Sequence, residues 1–206
     1  MKPFLTLVIT GTFLLAGVSS GWPAEEVSKK TAVHEKATFA GGCFWCVESF
    51  FDKTPGVIST TSGYTGGKVN KPSYEQVSSG QSGHTEAVEL VFDPSQVTYA
   101  KLLDTFWKNI DPTQKDGQFQ DRGTQYRTAV FYHSEEQKRE AEAYKTKLET
   151  SGKYADPIVT EIVPAADFYP AEDYHQNYHQ KNPLAYKLYS MASGREEYVR
   201  KNKPEE

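Results

Sequence analysis

The chain has 206 residues, 23 Lys and Arg against 27 Asp and Glu, a formal charge of −4 and 37% hydrophobic residues. That is enough for one domain with a real core, and the balance describes a soluble globular chain rather than a disordered or bilayer-embedded one. The mild acidity gives no electrostatic reason to seek phosphate backbones, and two cysteines are too few for a fold built on disulfides.

The chain opens with one basic residue, Lys2, then an apolar run to Val18 that gives way to Ser19, Ser20 and Gly21. This is the pattern of a secretory signal peptide. The run is interrupted by Thr6, Thr10, Gly11, Thr12 and Gly17, and it is shorter than the roughly 20 residues a membrane span needs. Cleavage after about residue 24 is therefore expected over permanent anchoring, with the mature protein exported to a periplasmic or extracellular space. Residues 25–35 read as a polar lead-in, 36–191 as a single dense domain and 192–206 as a charged, frayed tail.

Within the domain, Ala37 to Ala40 reads as a short strand that ends at Gly41-Gly42, and Val47 to Lys53 as a helix. Val57 to Tyr64 and Ala87 to Phe92 follow as strands, and Tyr99 to Lys108 is an amphipathic helix carrying Leu102, Leu103, Phe106 and Trp107. Thr128 to Tyr132 reads as a buried strand from its β-branched and aromatic content. Ser134, with Gln137 three residues on, opens a long helix that stops near Gly152. Ile158 to Val163 is a further strand, and Tyr178 to Ser190 is partly helical. Strands and helices alternate without a regular βαβ rhythm, so the expected class is α+β, a single domain with a mixed sheet and packed helices.

Both cysteines stand in Gly41-Gly42-Cys43-Phe44-Trp45-Cys46, where a strand turns through two glycines into a helix. The spacing puts both sulfurs on one face of the first turn, with Cys43 at the positive end of the helix dipole. Cysteines so placed have pKa values of roughly 3.5–7.5 rather than about 8.5, so Cys43 is the expected thiolate nucleophile and Cys46 its partner. Other readings stand beside this one. The pair can form a structural disulfide, although so small a loop constrains the unfolded chain little. It can join His175 and His179, four residues apart, in a Cys₂His₂ zinc site. It can also serve a thioredoxin-like dithiol exchanger. An exported binding module stabilised by zinc or a disulfide, and a general dithiol oxidoreductase, are therefore alternatives to a dedicated enzyme.

Gly42-Cys43-Phe44-Trp45 resembles the active-site signature of peptide methionine sulfoxide reductases of the A type. Ser62 to Gly67, Tyr74 to Val77, Gly83 to Val88, Asp121 to Arg127 and Ala171 to Tyr178 resemble blocks of the same family in the same order. One departure stands out. Many members have Gly where this chain has Cys46 and carry a recycling cysteine near the C-terminus, where this chain has none.

The resemblance implies a two-layer core elaborated from a ferredoxin-like fold, and thiol-dependent reduction of methionine S-sulfoxide, free or in oxidised proteins. It implies that Cys43 attacks the sulfoxide sulfur, that Glu86 supplies a proton, and that Tyr74 and Tyr126 donate hydroxyls to the oxygen. Phe44 and Trp45 would wall the slot for the substrate methyl. Asp121 matches a further polar position, and His175 and Tyr178 match residues near the rim. A Cys43 sulfenic acid would condense with Cys46, and an external thioredoxin-like reductant would reopen the disulfide. No metal or other cofactor and a monomeric state are expected. His84, close to Glu86 in sequence, is read as structural.

Overall fold

The computed structural model describes residues 34–202. The expected signal segment, nearly all of the lead-in and the last residues of the tail lie outside the described residues.

Strand β1 (Glu35–Gly41) runs into helix α1 (Phe44–Phe51), and β2 (Val57–Thr65) is followed by the short α2 (Tyr74–Ser78) and β3 (Thr85–Phe92). Helix α3 (Tyr99–Lys108) leads to a two-residue hairpin, β4 (Gly117–Gln118) and β5 (Asp121–Arg122). Then come β6 (Thr128–Tyr132), α4 (Glu135–Thr150), β7 (Glu161–Pro164) and β8 (Tyr169–Pro170). Three helices close the described chain: α5 (Tyr178–Lys181), α6 (Pro183–Ala192) and α7 (Arg195–Asn202).

The main sheet has the order β7-β6-β1-β3-β2-β8. Its four central strands come from two interleaved units, β1-α1-β2 and β3-α3-β6, each lending a strand to the middle of the other. This is the ferredoxin-like pattern, and all the pairings within it are antiparallel. β7 adds to β6 in parallel, which makes the sheet mixed, as expected for this α+β domain.

Period-two alternation sorts the side chains. Phe39 of β1 and Val88, Leu90 and Phe92 of β3 face the helices, where Val47 and Phe51 of α1 and Leu102, Leu103 and Phe106 of α3 bury them. Phe39 stacks between Phe51 and Phe106, each ring centroid 5.0 Å away. The opposite face carries Ala40, Ala87 and Ala129 with Phe131, covered by Val163 and Phe168.

The structure departs from the sequence reading at three places that matter to the site. Helix α1 begins at Phe44 rather than Val47, with Cys43 at its cap, because Cys46 N–H and Val47 N–H both close onto the Cys43 carbonyl. Ser134 caps α4, but the Gln137 amide reaches the His133 N–H and the Lys36 carbonyl, fastening the helix to β1. The charged tail expected to fray instead forms α7. Arg195, 5% exposed, donates to the carbonyls of Gly41 and Asn109 and lies over the Phe119 ring, so the chain after α6 is tied to the β1–α1 turn.

Candidate active site

The β1–α1 turn sets the site. Gly42 has φ +81°, and a Cβ there would meet the Cβ of Gln118 at 2.6 Å, so only glycine carries the backbone through this turn. The turn delivers Cys43 to the start of α1. Strand β3 supplies the carboxyl: Glu86 shares parity with Val88 and Leu90 and so points to the helix face, beneath the same helix start. Its Oε2 accepts the Phe44 N–H at 2.9 Å, and the side chain is 2% exposed. Burial pushes its pKa up to about 8, the Phe44 N–H opposing and the Asp121 charge adding to the rise. Glu86 thus keeps its proton near neutral pH.

Parity alone would turn His84 to the same face as Glu86. The strand begins only at Thr85, however, and the His84 ring is taken up by the Gly67 N–H and the Val69 carbonyl. His84 serves the loop.

A small cavity of about 70 Å³ lies in front of these groups, lined by Cys43, Phe44, Trp45, Tyr74, Glu86, Asp121, Tyr126 and Tyr189. Tyr74 opens α2, its N–H held by Glu172 Oε1 at 3.0 Å, while Glu172 Oε2 accepts from the Tyr64 hydroxyl at 2.8 Å. Tyr126 ends a 3₁₀ turn that Gln125 binds to the Ser78 carbonyl at 2.9 Å. Burial pushes the Tyr74 phenol up to about 12 and raises Tyr126 as well, so both remain hydroxyl donors. Asp121 accepts the Tyr189 hydroxyl at 2.7 Å. Burial raises Asp121, with that bond, the Arg195 charge and the Cys43 N–H opposing.

Seven of the ten residues singled out in the sequence therefore converge on one slot. Cys46, His175 and Tyr178 do not line it. His175, expected at the rim, is instead 2% exposed behind the wall, and its Nδ1 accepts the Trp45 indole N–H at 3.1 Å. Burial lowers its pKa, which keeps the acceptor nitrogen free of a proton. Tyr178 stacks on Trp45 at 3.8 Å and 7° between ring planes. These two hold the indole in place. Tyr189 was missed by the sequence reading. Its signal was a tyrosine three residues after Tyr186 in a segment already read as helical, but nothing in that spacing says which face meets the slot.

The two sulfurs differ from expectation in which is the more acidic. Both cysteines are free and buried. Burial pushes the Cys43 thiol well up, and its hydrogen bond to Cys46 and the Glu86 charge add to the rise. Cys46 is lowered to about 7, first by the bond from Cys43 and then, against its own burial, by the Arg195 charge. The direction at Cys43 is thus opposite to the lowering expected from its place at the helix start, while Cys46 is lowered beside the buried guanidinium of Arg195.

The slot can thus present a nucleophilic sulfur, a neutral carboxyl and two phenolic donors around one small apolar group. Among the described residues no group of three or more His, Cys, Asp or Glu is arranged to hold a metal ion. His175 is engaged by Trp45, while His179 lies between Glu48 and Asp52, at 3.8 and 3.3 Å.

Residues 35–206 match the family model described as peptide methionine sulfoxide reductase. The peptide methionine sulfoxide reductase MsrA of Bacillus licheniformis is 52% identical over 168 residues, 82% of this chain and 93% of that protein. The corresponding protein of Halalkalibacterium halodurans is 54% identical over 168 residues, 82% of this chain and 96% of that one. Among solved structures, methionine sulfoxide reductase A of Corynebacterium diphtheriae superposes with a TM-score of 0.66 at 39% identity, covering 73% of this chain and 76% of that one. Mxr1 from Saccharomyces cerevisiae in reduced form gives 0.68 at 34% identity, covering 75% and 88%.

Proposed function

The chain belongs to the peptide methionine sulfoxide reductase family, and from that premise we propose how its own residues carry out and complete the reaction. The reaction itself is the reduction of methionine sulfoxide to methionine. The observation that carries the mechanism is the pairing, in one aromatic slot, of Cys43 with a Glu86 carboxyl that stays protonated near neutral pH.

The substrate methyl enters against Phe44 and Trp45, with the sulfoxide oxygen toward Glu86, Tyr74 and Tyr126. Cys43 hands its proton to Cys46 as its sulfur attacks the sulfoxide sulfur, and Glu86 protonates the oxygen, which is a very poor leaving group without that proton. The hydroxyl then passes to the Cys43 sulfur as the new sulfur–sulfur bond breaks with its electron pair going to methionine, which departs and leaves Cys43 as a sulfenic acid. Cys46 then attacks the Cys43 sulfur. Hydroxide leaves as water, taking the proton Cys46 had received, and a Cys43–Cys46 disulfide remains. Glu86 is re-protonated from water. Asp121, fixed by Tyr189, orients the polar edge of the slot. Selectivity for the S epimer is part of this proposal, on the resemblance of the site blocks to the A-type reductases.

The disulfide is reopened by an external thioredoxin-like protein, with oxidised proteins or free methionine sulfoxide as substrate and the enzyme acting as a monomer without a cofactor. The signal-like pattern before residue 25 supports an exported enzyme, and the family match beginning at residue 35 leaves that segment outside the catalytic domain.

Methionine formation from the two resolved epimers tests the mechanism: the S form is turned over and the R form is not. Equal activity on both, or none on either, refutes it. Cys46→Ser is expected to release one methionine per chain, more slowly than the parent because the acceptor of the Cys43 proton is gone, and then to stall with a dithiol protein as donor. Undiminished multiple turnover in that variant would mean that recycling bypasses Cys46.

A further inference from the structure

The two sulfurs face different hollows. Cys43 faces the aromatic slot, whereas Cys46 lines a separate cleft of about 310 Å³ between α1, α6 and α7. No lining residue is common to both. Helix α6 borders both, with Tyr189 in the slot and Tyr186 and Ser190 in the cleft.

The cleft is basic. Lys53, Arg195 and Arg200 border it against a single carboxylate, Glu196. Lys53 and Arg200 are exposed, whereas Arg195 is buried and its charge acts directly on Cys46. An anion entering here moves toward positive charge and ends at a sulfur. The slot offers the opposite: its roughly 70 Å³ suit the end of a methionine side chain, and its acidic members are Glu86 and Asp121.

We propose that this cleft is a binding site for a small thiol bearing a carboxylate, and that the thiol attacks Cys46 Sγ there. The enzyme is then re-reduced through a hollow separate from the one that takes its substrate. The inference rests on the Cys43–Cys46 disulfide of the cycle above and adds a second route for electrons. The incoming thiolate forms a bond to Cys46 Sγ as the Cys46–Cys43 bond breaks. Cys43 sulfur leaves with the electron pair and takes a proton from the Glu86 carboxyl, which water restores. A second thiolate of the same kind attacks the small-molecule sulfur of the mixed disulfide, and Cys46 leaves as thiolate beside Arg195. Two small thiols are oxidised to one disulfide, and one protein disulfide is reduced. The low pKa of Cys46 favours that last departure.

The test uses the full-length protein oxidised by a stoichiometric amount of methionine sulfoxide. Its disulfide is then reduced with 3-mercaptopropionate, 2-mercaptoethanol or cysteamine, thiols of similar size carrying a negative, no or a positive charge. Rate constants per thiolate are expected to fall by about 3- to 10-fold at each step of that series at low ionic strength, and to converge near 1 M salt. Lys53→Glu combined with Arg200→Glu is expected to erase the preference while leaving first-turnover methionine release intact. Mass spectrometry of the trapped mixed disulfide places the thiol on Cys46. Charge-blind rates, a preference that survives the double substitution, or a thiol found on Cys43 would each overturn the proposal. The two readings separate cleanly: a chain that releases no methionine in the first turnover overturns the mechanism and the cleft together, whereas normal release followed by charge-blind reduction overturns the cleft alone.

Discussion

Glu86 illustrates how one side chain acquires a function from its surroundings. On the surface it would be an ordinary carboxylate, ionised above about pH 4.3. Under the start of α1, 2% exposed, it has one backbone N–H and a ring of aromatic neighbours, too little to replace the water that stabilises its charge. Its pKa of about 8 follows, and the acid form is the one the reaction needs. The rate kcat/KM is therefore expected to fall as pH rises through about 8, and to fall also below about 7, where Cys46 is no longer ionised to take the Cys43 proton. Glu86→Gln should lower kcat by about 10²- to 10⁴-fold, the range a positioned acid supplies, and should remove that alkaline limb. A pH–rate profile of both proteins measures this, and an unchanged limb in the variant would assign it to another group.

At the scale of elements, the site depends on where α1 starts. Gly42 at φ +81° and the close approach of Gln118 leave no space for a side chain in the turn, so the sulfur position is set by backbone rather than by a rotamer. Gly42→Ala is expected to lose about 1–3 kcal/mol of stability, read from the urea midpoint, because a left-handed backbone and a steric clash act together. It should also slow methionine release, since Cys43 moves with the helix start. Stability and activity both equal to the parent would mean that the turn relaxes freely. Trp45 shows the same dependence from the other side. Its indole is held by His175 from behind and by Tyr178 against its face, so the wall of the slot is a three-residue stack assembled from α1 and the chain entering α5.

At the scale of the molecule, the fold stores more than one carboxyl out of water. Glu48 on α1 is fully buried, with His179 Nδ1 3.8 Å away, and burial pushes its pKa up to about 7. A carboxyl whose folded pKa lies above its unfolded value of about 4.3 binds its proton more tightly in the native state. Its contribution to stability is therefore present at low pH and is lost as pH rises through about 7. The Tm of the parent is expected to fall by several degrees relative to Glu48→Gln between pH 5 and 8, with no further divergence above. Parallel Tm values across that range would mean that the carboxyl is already solvated. The buried Arg195 acts at the same scale, joining α7 to the β1–α1 turn and to the residue that follows α3.

What could be read from the chain alone was whatever depends on near neighbours in sequence. Alternation marked β3 and helical spacing marked α3, because local periodicity follows from the backbone itself. The spaced blocks that resemble a known family brought Cys43, Tyr74, Glu86, Asp121 and Tyr126 to notice before any geometry was known. The ionisation of the sulfur pair, the place of Tyr189 in the slot and the burial of Arg195 could not be read that way. Each depends on groups more than 60 residues apart in sequence, such as Tyr189 with Asp121 or Arg195 with Gly41. Charge distribution between two buried sulfurs is set by how much water each has lost and which cation is near, and both quantities exist only once the chain has closed around them. Sequence by itself therefore marked candidate groups for the chemistry, because they lie in recognisable local blocks, while tertiary structure decided which of them meet in one slot and which hollow each one faces, because that depends on distant parts of the chain closing together.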